Sequence, residues 1–302
     1  MPELPEVETI ARGLDKRVRG DVIESVWLGS KPEPLKSSAA EIADVLESAR
    51  IARVRRVGKH IVFDLEKQSR DRTPVHLQRT PQVFSRTRKK RDRRGAEGTP
   101  APTPPGAQWI VHLGMTGRMV VCNPDETLEK HTHAIARLAS GKEVRFVDPR
   151  RFGRLSVTQG FSAPGSEPLR IDAQRFVDLF RGRKTPIKSA LLNQKLLSGV
   201  GNIYADESLF RAGIRPRRRA ASLAREDLRR LHCAVREVLE EAIALGGSSV
   251  SDYVDADGEE GFFQLQHRVY GREDEPCLVC KTPVKRVVIA GRSSHYCPQC
   301  QR

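Results

Sequence analysis

The two residues after the initiating methionine, Pro2 and Glu3, are a pair that could do chemistry together. A small second residue permits removal of Met1, and the new terminus is then a secondary amine. Its basicity is that of an α-amino group, well below that of lysine, so a useful neutral fraction exists near neutral pH. Such an amine can attack an electrophilic carbon and form an iminium. A carboxyl one residue away can donate or accept the proton such a step needs. A second constellation lies at the far end, where Cys277-x-x-Cys280 and Cys297-x-x-Cys300 are separated by sixteen residues. Each Cys-x-x-Cys turn aims two sulfurs at one point, and two turns complete a tetrahedron for Zn²⁺. All four ligands are thiolates, so no position stays open for catalysis and the expected ion is a single structural zinc. Between the pairs, residues 287–293 read as a β-hairpin that presents Arg292 near its turn, where a cation suits a phosphate. His295 reads as unliganded, and His131-x-His133 lacks a third partner for a metal. Cys122 and Cys233 stand alone and read as small buried apolar residues.

These groups need a frame. Residues 6–19 carry apolar side chains at steps of three and four (Val7, Ile10, Leu14, Val18), with Pro5 before them and Gly20 after, which predicts an amphipathic helix. Short β-branched segments follow at 22–28, 51–57, 60–65, 109–113, 118–122 and 143–147, predicting an antiparallel sandwich or barrel. The stretch 68–108, rich in Arg, Lys, Thr, Pro and Gly, has no period and reads as a basic, disordered insertion between two strands. Beyond a Pro/Gly/Ser linker at 163–168, helical patterns dominate at 172–181, 187–192, 202–212 and 222–245, the last with Ser222 as its cap. The fold class is therefore α+β and multidomain. A sandwich occupies residues 1–160, a helical unit 161–265, and a zinc-bearing hairpin 266–302.

Charge indicates the partner. Lys and Arg outnumber Asp and Glu by 53 to 38 over 302 residues, a net charge of +15. Part of the surplus is local, in the run 86–94, and the rest is spread along the chain. A surplus of this size suits a polyanion, because each cation placed on a phosphate releases condensed counterions. No apolar run is long enough for a membrane span and the acidic start lacks the form of a signal peptide, so a cytoplasmic protein is expected. No phosphate-cradling glycine loop suggests a nucleotide cofactor.

Several motifs, in order along the chain, carry a resemblance. They are Pro2-Glu3-Leu4-Pro5-Glu6-Val7-Glu8-Thr9, Gly58-Lys59-His60, His112-Leu113-Gly114-Met115-Thr116-Gly117 and Asp148-Pro149-Arg150-Arg151-Phe152-Gly153. Lys184-Thr185-Pro186-Ile187-Lys188, residues 199–205 (Gly-Val-Gly-Asn-Ile-Tyr-Ala) and Val269-Tyr270-Gly271-Arg272 follow, and the cysteines close the series. Together they resemble the formamidopyrimidine-DNA glycosylase family over nearly the whole chain except about residues 68–108. The resemblance implies an N-terminal β-sandwich, a helix–two-turn–helix domain and a zinc hairpin, with double-stranded DNA lying across the cleft between lobes. It implies a monomeric bacterial base-excision repair enzyme acting at the nucleoid on a flipped-out oxidised purine. In that reading Pro2 attacks C1′, Glu3 moves a proton at the sugar, Lys59 serves β-elimination and Arg292 serves δ-elimination. Met115, Arg150 and Phe152 fill the hole left in the duplex, and His131, Lys184 and Asn202 hold the backbone, Asn202 doubling as a helix cap. The lesion-binding loop is expected within Ser248 to Gln266, around Ser249, Asp252, Tyr253 and residues 258–262. Two rivals are a sister group acting on oxidised pyrimidines and a zinc-containing DNA binder without chemistry. Leu4 and the Arg150-Arg151-Phe152 motif favour the purine group.

Overall fold

A computed structural model of the chain describes residues 1–31, 33–67, 106–249 and 261–302. Helix α1 (Leu4–Val18) comes first. Pro5 sits in its first turn, where no intrahelical N–H is needed, and Glu6 Oε2 accepts from the Glu3 N–H at 2.7 Å. Gly20, at φ +85°, lets the chain turn away after the helix. The helix begins two residues earlier than expected from its apolar stripe, because Leu4 is also buried.

Two four-stranded antiparallel sheets follow. One has the order β1 (Ile23–Leu28), β6 (Thr132–Leu138), β7 (Glu143–Val147), β5 (Arg118–Cys122). The other runs β2 (Ala49–Val57), β3 (His60–Lys67), β4 (Ala107–His112), β8 (Arg154–Gln159). Their inner faces close over one core that includes Phe63, Trp109, Met119 and Phe146, with α1 laid against β2 and β3. This is the expected sandwich. Strands β6 and β8 and a short helix α2 (Ala39–Leu46) were not expected, since their apolar residues are too few or too interrupted to show a period. The expected insertion 68–108 lies mostly outside the described residues. Its last two positions are corrected, because Ala107 and Gln108 pair with Gln159 and Thr158 as the start of β4.

The second core is helical, built from α3 (Ala173–Phe180), α4 (Ile187–Leu191), α5 (Asn202–Arg211) and the twenty-residue α6 (Arg225–Ala244). Ser222 does not cap α6: it ends a 3-10 turn, and Ala224 is the N-cap, its N–H bonded to Asp227 Oδ2 at 3.2 Å. Cys233 is exposed on α6 rather than buried, whereas Cys122 is buried as expected. The third cluster holds only Cys277, Cys297, Val269 and Val284 as buried members, around the hairpin of β9 (Lys285–Ile289) and β10 (Arg292–Tyr296). So small a core cannot supply much hydrophobic stabilisation, which is the situation a structural metal resolves.

One residue shows how the frame sets the site. Leu4 belongs to the helical core, while Val7 to Val18 on the same helix belong to the sandwich core. The start of α1 therefore lies at the seam of the two, and Pro2 and Glu3 are held there.

Candidate active site

Pro2 is half-buried, with Met1 in front of it 51% exposed. Next to it the main chain is fixed on both sides. Leu4 N–H donates to Gly199 O at 3.1 Å, and Glu6 receives three donors: the Glu3 N–H, the Ser248 N–H at 2.8 Å and the Tyr204 hydroxyl. Burial raises the Glu6 pKa, against the pull of those donors.

The Glu3 carboxyl is 5% exposed and points at the first turn of α5. Its Oε1 accepts from Ile203 N–H at 3.3 Å, and its Oε2 has no hydrogen-bond partner among the described residues. Burial raises its pKa to about 7, while the charge of Lys59 draws it down. It is thus divided between acid and carboxylate near neutrality, the condition a group needs to pass a proton in either direction.

Lys59 occupies the two-residue turn between β2 and β3, where Val57 pairs with His60. Gly58 takes φ +61° at the first turn position, which a II′ hairpin reserves for glycine. Burial lowers the Lys59 pKa, Glu3 and Glu6 oppose that shift, and Arg292 adds to it. Arg292 opens β10 directly after Ala290 and Gly291, whose positive φ values of 48° and 76° make a tight primed turn. Glu3 therefore lies within electrostatic reach of the chain terminus and of Lys59, and Lys59 within reach of Arg292.

The hairpin is docked by residues of α4 and α5. Lys188, 1% exposed, pairs with Asp206 at 2.7 Å and donates to Ser293 O at 2.6 Å. Asp206 Oδ2 accepts from His295 N–H at 2.9 Å and faces His295 Nδ1 at 3.2 Å. Glu207 accepts from the N–H groups of Arg268, Val269 and Tyr270 at 2.8–3.0 Å. Asn202 is corrected as a cap, because Gly201 is the N-cap of α5 and Asn202 Nδ2 instead donates to Ser293 O at 3.0 Å.

On the sandwich side, Met115, Arg150 and Phe152 come together on two adjoining loops. Met115 is 46% and Phe152 57% exposed, so neither is a core residue, and Arg150 Nη1 lies 3.9 Å from Met115 Sδ. Asp148, fully buried, clamps both loops: it accepts from Thr116 Oγ1 at 2.7 Å, Gly153 N–H at 2.7 Å and Arg150 N–H at 3.2 Å. His131 is exposed, and its carbonyl accepts from the Asp148 N–H at 3.0 Å. His133 is buried with its Nε2 2.9 Å from Asp148 O. Lys184 is exposed just ahead of α4. Asp252, Tyr253 and residues 258–260 of the expected lesion loop lie outside the described residues. The ends of that stretch are tied, since Gln264 Oε1 accepts from Ser249 N–H at 2.9 Å.

The sulfurs of Cys277, Cys280, Cys297 and Cys300 all lie within 4.8 Å of one another, two pairs at 3.9 and 3.4 Å. A tetrahedral Zn–S₄ centre with bonds of about 2.3 Å requires sulfurs about 3.8 Å apart, so the donors fit that ion. His295 is not among them. Gln301 ties the second knuckle to the helical core, donating to Ile214 O at 2.8 Å and accepting from Cys297 N–H at 2.8 Å.

Sequence reading did not single out Glu6, Asp148, Lys188, Asp206, Glu207 or Gln301. Each stood inside or beside a motif, but an acid or lysine that bonds main chain from another element leaves no local pattern.

Fold and site define a three-part architecture: a β-sandwich and a helical domain that meet at the start of α1, with a four-cysteine hairpin docked on α4 and α5. Family models agree along the chain. The formamidopyrimidine-DNA glycosylase N-terminal domain matches residues 1–155, the formamidopyrimidine-DNA glycosylase H2TH domain 164–254, and a zinc finger found in FPG and IleRS 274–302. The formamidopyrimidine-DNA glycosylases of Solibacter usitatus and Desulfitobacterium hafniense are 39% and 38% identical, each over 100% of both chains. Among solved structures, MutM (Fpg) from Thermus thermophilus is 38% identical with a TM-score of 0.77, covering 99% of this chain and 98% of that one. Lactococcus lactis Fpg in complex with DNA containing an abasic site is 28% identical with a TM-score of 0.80, at 99% coverage of each. The chain belongs to the formamidopyrimidine-DNA glycosylase family.

Proposed function

We propose that this protein is a bifunctional DNA glycosylase and abasic-site lyase that removes oxidised purines, 8-oxoguanine and formamidopyrimidines, from duplex DNA. The observation that carries the reading is the buried Glu3 carboxyl, next in the chain to Pro2 and set against the first turn of α5, where burial raises its pKa to about 7. Three of the L. lactis Fpg structures are complexes with DNA containing Fapy-dG, which supports a purine lesion.

In this mechanism the damaged nucleotide is flipped out. The neutral amine of Pro2, freed of Met1, attacks C1′ as the C1′–base bond breaks and the base leaves with the bonding pair and a proton. Glu3 gives its proton to the ring oxygen O4′ as the C1′–O4′ bond opens, leaving an iminium at C1′ and a hydroxyl at C4′. The iminium acidifies the C2′ hydrogens. Removal of one, with Glu3 now a carboxylate able to take it, expels the 3′ phosphate, and Lys59 stands as its proton donor. A second elimination expels the 5′ phosphate, with Arg292 as its partner. Hydrolysis of the iminium returns the amine.

Met115 and Phe152 wedge into the vacated stack, and Arg150 offers paired donors to the opposite base. His131, Lys184 and Asn202 hold backbone phosphates. Residues 1–160, 161–265 and 266–302 are the three functional units. Cys277, Cys280, Cys297 and Cys300 hold one structural zinc, which keeps the Arg292 hairpin folded and takes no part in the eliminations. The protein acts as a cytoplasmic monomer, and among its described residues no helix is long and apolar enough to cross a membrane.

Borohydride trapping on a duplex with one 8-oxoguanine opposite cytosine tests the reading. Met-free protein should form a covalent adduct and the Pro2→Gly variant should not. No adduct and no strand cut, on this lesion or on an oxidised pyrimidine, would leave a DNA binder without chemistry.

A further inference from the structure

Beside Lys184 the chain builds a short ribbon from two segments distant in sequence. Pro186 and Arg219 form an antiparallel bridge. Around it Ile187 N–H donates to Arg218 O at 2.7 Å, Ala220 N–H to Thr185 O at 3.0 Å and Ala221 N–H to Arg183 O at 2.7 Å. These bonds fix the backbone of residues 216–221 against that of 183–188.

The arginines of this ribbon divide into two kinds. Arg215 and Arg218 are used by the fold: Arg215 donates to Gln301 O at 2.9 Å and Pro298 O at 2.8 Å, and Arg218 to Arg302 O at 3.3 Å and Ser222 O at 3.0 Å, with Asp227 at 3.6 Å. Arg217 and Arg219 are exposed, and among the described residues their side chains have no hydrogen bond or ion pair. Arg218 N–H closes a turn on Arg215 O at 3.1 Å, so Arg217 stands in that turn and Arg219 at the bridge that follows it. Asp227, which the fold brings to Arg218, is also held by Arg230. From residue 181 to 225 the only carboxylates are Asp206 and Glu207, both buried and both bonded to the zinc-bearing segment.

We infer that Arg217 and Arg219, with Lys184 beside them, form a phosphate-binding strip that contacts duplex flanking the lesion. The inference rests on the DNA-processing reading above and adds a surface to it. The ribbon is continuous with that site, because Lys188 N–H reaches Pro216 O at 3.4 Å while its amino group holds Ser293 O beside Arg292. In the inferred arrangement a duplex seated on Arg292 extends past this strip. Phosphates read by two exposed guanidiniums on a fixed ribbon add affinity without sequence preference.

The test is a salt titration of binding to an undamaged duplex, with the full chain and the paired variants Arg217→Gln/Arg219→Gln and Arg217→Lys/Arg219→Lys. Each phosphate contact contributes about 0.9 to the slope of log K against log salt, so the Gln pair should lower its magnitude by about 1.8. The Lys pair should keep the wild-type slope, and single-turnover excision at saturating protein should be the same in all three. A wild-type slope in the Gln pair overturns the strip while leaving the glycosylase reading intact. A slope lost equally in the Lys pair also overturns it, since charge is then not what the ribbon supplies. Absence of salt-dependent binding in the wild type sinks both readings.

Discussion

Glu3 and Gly201 share one small volume. A Cβ at residue 201 would lie 2.5 Å from Glu3 Oε2 and closer still to its carboxyl carbon. Gly201 is the N-cap of α5, so the carboxyl rests against the positive end of that helix and reaches the Ile203 N–H. A glycine in the helical domain thus sets where an acid of the sandwich domain can stand.

Gly201→Ala should therefore displace the Glu3 carboxyl by about an ångström without entering the DNA-facing loops. Displacements of that size cost about a hundredfold in rate. Single-turnover excision should fall by that order while affinity for an uncleavable abasic duplex holds. Unchanged excision would remove the positional role of Glu3.

The pH dependence follows from burial. The folded Glu3 pKa, raised to about 7, lies above the 4.5 of the free side chain. Its contribution to stability is complete below about pH 4.5, and is lost as pH rises through 7, because the unfolded chain releases the proton first. Glu3→Gln should therefore show a flatter fall in Tm between pH 5.5 and 8 than the wild type. Glu6, also shifted upward by burial, leaves a residual slope. If Glu3 acts as the acid at O4′, wild-type excision should lose rate above about pH 7. An identical Tm slope in the variant would deny the raised pKa.

Much of this arrangement was legible in the sequence and some was not, for a physical reason. Helix α1, strands β5 and β7 and the cysteine knuckles announce themselves by local period or spacing. Strands β6 and β8 do not: Ala134 and Ala136 are buried by neighbours in the sheet, and β8 alternates only two buried residues with exposed ones. The same divide runs through the site. Pro2, Glu3, Lys59 and Arg292 stand out in the sequence by residue type, motif or place in a hairpin, whereas Glu6 and Asp148 accept main-chain N–H groups brought from elsewhere. Ser222 misled as a cap because the capping carboxylate, Asp227, lies inside the helix it serves.

Met115 and Phe152 separate a wedge from a core. Exposed side chains away from caps and networks change stability by less than about 0.5 kcal/mol on truncation. Met115→Ala and Phe152→Ala should leave Tm within a degree or two, yet slow excision from duplex by about ten- to a hundredfold, or ~1.4–2.7 kcal/mol. The loss should shrink on a lesion opposite a gap, where no stack needs filling. A Tm collapse instead would return both residues to the core.

Zinc removal should act through the hairpin. Cys297→Ser, or chelation, frees Gln301 from its contacts with Cys297 and Ile214 and uncouples β10 from the helical core. The cleaved product should then be missing while the Pro2 amine itself is intact. Metal analysis should give one zinc per wild-type chain and less than one in the variant. Full strand cutting by zinc-free protein would separate the hairpin from the reaction.

The buried pair of Lys188 and Asp206 gives the sharpest energetic contrast. Asp206→Asn leaves the Lys188 ammonium, 1% exposed, without its counter-charge. Breaking one partner of such a pair costs about 3–5 kcal/mol. It also weakens the grip on His295, because an amide oxygen accepts less strongly than a carboxylate. The double variant Lys188→Met/Asp206→Leu removes both charges; apolar replacement of such a pair is often near neutral, so it should be more stable than Asp206→Asn alone by about 3 kcal/mol. The two variants should agree in a different observable. Both loosen the strand that carries Arg292, so both should accumulate the single-elimination product ahead of the double-elimination product. Recovery of stability without recovery of δ-elimination would identify the pair as a positioning device for Arg292. Recovery of both would mean that the ion pair supplies only stability, and that Asn202 and Glu207 suffice to hold the hairpin in place.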